Sequence, residues 1–75
     1  MKELVLNEFK QTVNMEWFYF LEHQAEGKDI QYKLWCSKCD IKYVLRELLI
    51  SDGMTPEELD TIEDEIKAQA LKAYK

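Results

Sequence analysis

Between residues 30 and 50 the apolar positions fall on two opposite sides of a helix. Steps of three and four collect Ile30, Leu34, Ile41, Val44, Leu45 and Leu48 on one side, and Tyr32, Cys36, Cys39, Tyr43 and Ile50 on the other. Lys38, Lys42 and Arg46 run along one border between the stripes, and Lys33, Asp40 and Glu47 along the other. A helix with one apolar face lies on the outside of a domain, whereas one with two is packed from both directions. The pattern therefore predicts a central or interface helix over Ile30 to Ile50. Ser37 with Asp40 three residues later is a second capping signal inside it. Both stripes nevertheless keep their phase through Cys39, Ile41 and Tyr43, which predicts an unbroken rod.

Upstream, Leu6, Phe9, Val13, Trp17 and Phe20 follow helical spacing from Lys2 to Glu26, and Gly27 stands where a left-handed cap would stop the helix. Within it, Trp17, Phe18, Tyr19, Phe20 and Leu21 point almost all the way round the axis, so a single neighbour cannot cover them. Two flanking helices are the plainer expectation. An exposed aromatic patch is the functional one, since large aromatics supply much of the energy at interfaces. Gly27, Lys28 and Asp29 form a short connection, with Asp29 a candidate N-cap.

Ser51, Asp52 and Gly53 end the second helix. Thr55 then offers an N-cap, Pro56 the first helical position, Glu58 the closing partner of a capping box, and Met54 with Leu59 a hydrophobic staple. Acids at 57, 58 and 60 sit near the positive end of the helix dipole, while Lys67, Lys72 and Lys75 lie toward the negative end. The inner face of this third helix is narrow: Leu59, Ile62, Ile66, Ala70 and Ala73. The expected fold is all-α, a small three-helix antiparallel bundle over Lys2–Glu26, Ile30–Ile50 and Pro56–Tyr74. Residues 1 to 75 make one domain with a central two-faced helix, and dimerisation is a further way to cover that helix.

Composition narrows the function classes. With 75 residues, 47% of them hydrophobic and only two glycines and one proline, the chain reads as one small globular domain that benefits from a staple, a metal or a second copy. Two cysteines are too few for a disulfide scaffold, and no secretory leader pattern opens the chain, so a reducing, cytoplasmic setting is expected. No uncharged run approaches a membrane span. The net charge of −5 is uneven. Residues 1 to 26 and 54 to 75 are each −3, and the middle is +1. Such a chain is repelled by phosphate backbones, so direct nucleic-acid binding is not expected. The outline of a helix-turn-helix around Ser51–Gly53 does not change this. It would aim Glu57, Glu58, Asp60 and Asp64 at the DNA, and Arg46 is the only arginine in the chain.

Candidate chemistry is sparse. Trp35, Cys36, Ser37, Lys38 and Cys39 resemble, over five residues, the Trp-Cys-x-x-Cys site of thioredoxin-like oxidoreductases, which implies a redox dithiol at the start of a helix after a strand. Ser37-Lys38 replaces that family's usual Gly-Pro, a helical pattern precedes the pair, and the only proline, Pro56, starts a helix. As metal ligands, Cys36 and Cys39 supply half a zinc site, completed only by a second copy across a twofold axis. The plainest reading is two small packed thiols. No Ser, Cys or acid constellation is placed to make His23 a catalytic base in a helical frame, and it is assigned no role. No catalytic site and no cofactor are expected.

The leading expectation is a non-catalytic, cytoplasmic regulatory module that docks an aromatic and apolar helix surface on a protein partner, including a second copy of itself. The candidate contacts are Trp17, Phe18, Tyr19, Tyr32, Trp35 and Tyr43. One alternative is an inhibitor that mimics nucleic acid through the acidic surface of Glu57, Glu58, Asp60 and Asp64. Another is the zinc-bridged homodimer through Cys36 and Cys39.

Overall fold

The structure, a computed structural model, describes the backbone of residues 2–27 and 29–74 and the side chains of 3–27 and 29–73. The connection at Lys28 and the dipole placement of Lys75 lie outside the described residues. Three helices follow one another: α1 (Lys2–Glu26), α2 (Asp29–Ser51) and α3 (Pro56–Tyr74). The fold is an all-α three-helix bundle, as the sequence pattern predicts, and α2 runs unbroken through Ser37 and Asp40.

The helix ends follow from local chemistry. Gly27 takes φ +69° and its N–H donates to the His23 carbonyl at 2.6 Å, closing α1 with a single left-handed residue. At the end of α2, Met54 N–H donates to the Leu49 carbonyl at 3.0 Å and Gly53 N–H to that of Ile50 at 3.1 Å. With Gly53 at φ +109°, this is a Schellman motif, and its hydrophobic contact is Met54 with Leu49, both in the core. The capping box forms at the next residue. Glu58 N–H donates to Thr55 Oγ1 at 3.2 Å, and Thr55 N–H reaches back to Glu58 Oε1 at 3.4 Å. Met54 and Leu59, the expected staple, are both buried. The stretch from Leu49 to Leu59 therefore stops a helix, turns the chain and starts another.

The core lies beside that turn. Phe9 and Val13 of α1, Leu49 of α2, Met54 of the turn and Leu59 of α3 are buried together, with Val5, Leu6, Trp17, Leu45, Ile62 and Ile66 packed around them. The α2 helix lies antiparallel to α1, and α3 returns alongside it. The helix flanked on both sides is α1. It packs along most of α2 and more sparingly on α3, while α2 and α3 barely touch.

This corrects the expectation that α2 would occupy the centre. In α1, Phe9, Thr12, Val13, Glu16 and Leu21 are buried and the aromatics 17 to 20 are half-buried, so α1 needs cover on two sides. Only α3 remains to provide the second cover, and its inner face is too narrow to serve α1 and α2 together. The α2 helix is left with one face in the bundle and the other facing out.

Candidate interaction surface

The inward face of α2 is not either of the two stripes the apolar pattern defines. Gln31, Trp35, Cys39, Lys42, Leu45, Arg46 and Leu49 turn toward the bundle. This face takes in the border of Lys42 and Arg46, and it leaves Ile30, Leu34, Ile41, Val44 and Leu48 outside. Those five aliphatic side chains range from 38% exposed at Leu34 to 64% at Ile30. They form a row along one flank of α2, interrupted only by Ser37 between Leu34 and Ile41. Five large aliphatic side chains exposed in one row differ from the scattered single residues that need no explanation.

The inward basic residues meet acids from both other helices. Lys42 Nζ donates to Glu16 Oε1 of α1 at 3.2 Å and pairs with Glu63 Oε1 of α3 at 3.1 Å. Arg46 Nη1 pairs with Asp60 Oδ1 at 3.1 Å and also with Glu63. Lys42 Nζ lies 3.1 Å from Glu16 Oε2 as well, but that approach is not aligned as a hydrogen bond and the oxygen has no other partner. Burial alone would lower the Lys42 pKa. The hydrogen bonds and negative charges of Glu16 and Glu63 outweigh it and hold the ammonium above its ordinary 10.5. One chain of ion pairs thus joins three helices, two of which scarcely touch otherwise.

At the far end of the bundle a series of rings crosses from α1 to α2. Trp17 meets Phe20 edge-on at 5.4 Å between centroids, Phe20 meets Trp35 at 5.0 Å, Trp35 meets Tyr32 at 5.6 Å, and Tyr32 meets His23 at 5.6 Å. Lys67 of α3 caps the series with Nζ 5.0 Å from the Trp17 ring centroid.

The candidate contact residues therefore divide. Trp17, Phe18, Tyr19 and Trp35 are half-buried against the protein's own helices, whereas Tyr32 and Tyr43 are exposed. Tyr43 lies across α2 from the aliphatic line, with Lys42 Nζ 5.2 Å from its ring centroid.

Cys36 and Cys39 are free thiols, half-buried on successive turns of α2. Burial, and then the hydrogen bond and charge of Glu16, push the Cys39 thiol up to about 11, so it stays protonated near neutral pH. The Tyr32 phenol is raised from 10.0, first by its hydrogen bond with Cys36. Among the described residues no group of three or more His, Cys, Asp and Glu side chains is placed to hold a metal ion. Of the acidic candidates, Glu58 closes the capping box and Asp60 pairs with Arg46, while Glu57 and Asp64 stand exposed.

Sequence reasoning missed the ion-pair chain and the outward aim of the aliphatic stripe. The available signal was Glu16, which sits on the same side of α1 as Phe9, Val13 and Phe20 and requires a cation to face it. No helix among the described residues is long and apolar enough to cross a membrane. No known protein family matches the sequence, and neither a curated protein nor a solved structure shows significant similarity to it.

Proposed function

We propose that the chain is a small non-catalytic interaction module that works by docking the outer face of α2 on protein. The observation that carries this reading is the exposed line of Ile30, Leu34, Ile41, Val44 and Leu48 on a helix whose inward face is already anchored by Leu49 and the Lys42 and Arg46 ion pairs. A rigid helix presenting an apolar line is a ready-made docking element, because its geometry is fixed before the partner arrives. The aromatic series serves the same end from inside, holding the α1–α2 pair in place. Of the expected aromatic contacts only Tyr32 and Tyr43 stay exposed, and they lie on the other side of α2 from the aliphatic line, so they are not part of this docking surface.

The acidic-mimic alternative loses weight because Glu58 and Asp60 are engaged within the protein, as a helix cap and as an ion pair. A photo-crosslinking residue at position 44 tests the docking reading in the native host. Crosslinks to a defined protein that disappear with Ile41→Glu support it. Crosslinking confined to water and lysate background, unchanged by that substitution, sinks it. Apolar docking is also expected to change little with salt, whereas contact through the acids would weaken steeply.

A further inference from the structure

Resting on the reading of the α2 face as a docking surface, we infer that its occupant is a second copy of this chain, lying antiparallel along it with the twofold axis level with Cys39. The outward line is Ile30, Leu34, Ser37, Ile41, Val44 and Leu48, with steps of four, three, four, three and four. That alternation is the seam of a two-helix coiled coil, narrower than the face a helix turns to a domain core.

The seam is complementary to itself. With the axis at this level, Ile30 lies opposite Leu48 of the second copy, Leu34 opposite Val44, and Ser37 opposite Ile41, so the small serine leaves room for isoleucine at the centre. Sliding the copy by one heptad in one direction strands Ile30 and sets Leu34 against Ser51. Sliding it the other way strands Leu48. One register alone uses every large side chain.

The charges beside the seam select the direction. Antiparallel pairing sets Lys33 against Glu47 of the second copy, twice by symmetry, and leaves Asp40 and Lys38 near their own counterparts on opposite edges. Parallel pairing would set Lys33 against Lys38 and Glu47 against Asp52. The four flanking charges, Lys33, Lys38, Asp40 and Glu47, also cancel in a chain of net charge −5, so this is a face on which two copies can approach without strong repulsion. From Ile30 to Leu48 the seam runs about 27 Å at the helical rise. Two such lines bury on the order of 1,000 Å², enough for a specific but reversible dimer.

Light scattering and sedimentation equilibrium on the whole chain test the inference. The wild type should show twice the 9.0 kDa chain mass at high micromolar concentration and fall toward one chain on dilution. Val44→Glu should give a single-chain mass throughout, with its helical circular dichroism unchanged. Lys33→Glu should weaken the dimer by roughly tenfold, and adding Glu47→Lys should restore it. A wild type that stays single at every concentration overturns the inference, as does a dimer indifferent to Val44→Glu. A dimer strengthened by Lys33→Glu overturns the antiparallel order. A single-chain mass combined with crosslinking of a foreign protein at position 44 defeats self-pairing and leaves the docking reading standing. A single-chain mass with no crosslink defeats both.

Discussion

Lys42 of α2 and Glu16 of α1 meet across the main helix interface with Nζ 3.2 Å from Oε1, and their side chains are only 11% and 7% exposed. A charge so far from water is tolerable because its partner is there, and removing one partner leaves the other stranded. Lys42→Met should therefore destabilise the fold by about 3 kcal/mol, since it strands Glu16, whereas Glu63 keeps Arg46. Glu16→Gln should cost less, because Glu63 still faces the ammonium. The double variant Glu16→Leu with Lys42→Met should recover much of the loss. Chemical denaturation of the four proteins measures this cycle, and strict additivity would show that the pair is not coupled.

The same cluster sets an alkaline limit on stability. Lys42 is held above 10.5 and Cys39 is pushed from 9.0 to about 11, so both groups keep their protons in the fold at pH values where the unfolded chain releases them. A state that binds more protons is favoured at lower pH, so both contributions are complete below the unfolded pKa values and are lost as pH rises through the folded ones. Melting temperature should be flat around neutrality and fall from about pH 9 upward. Cys39→Ala should remove the part of the slope between pH 9 and 11, and alkylation of Cys39 in the folded protein should rise only toward pH 11. Rapid alkylation of Cys39 at pH 7 would contradict the assignment.

The turn between α2 and α3 was the most legible part of the sequence, because its signals are local. Thr55, Pro56 and Glu58 need only their own neighbours to make a cap, and Gly53 needs only its own backbone. Accordingly all three helices lie where spacing and caps place them, with α2 starting at Asp29, one residue before the expected Ile30. Which face of α2 turns inward is not a local property. It depends on whether Lys42 and Arg46 find Glu16, Asp60 and Glu63 across gaps of many residues, and apolar spacing does not encode that. A periodicity reading places the cations on a border and the aliphatics inside. The ion pairs and the ring series instead rotate the helix so that the aliphatics face out.

The local signals give their own prediction. Thr55→Ala removes the acceptor for Glu58 N–H and should cost about 1 kcal/mol, a typical loss for an N-cap. Gly53→Ala should cost a similar amount, about 1 kcal/mol, through backbone strain alone. No atom lies within 4 Å of the position its Cβ would take. Thermal melts measure both. A Gly53→Ala protein as stable as the wild type would mean that the turn does not hold its left-handed backbone.

The two sides of α2 provide the sharpest test of the arrangement, because Val44 and Leu49 are aliphatic residues five apart on the same helix that point in different directions. Leu49 is 1% exposed and touches the buried cluster of Phe9, Val13, Met54 and Leu59, so Leu49→Ala leaves a cavity and should cost about 2 to 5 kcal/mol. Val44 is 58% exposed, and Val44→Ala in the single-chain state should change stability by no more than about 0.5 kcal/mol. Urea denaturation at a concentration low enough to keep the chains apart makes the comparison clean, since association would add its own stabilisation. If α2 were instead packed through its aliphatic line, the two results would be reversed, with Val44→Ala the damaging change and Leu49→Ala the mild one.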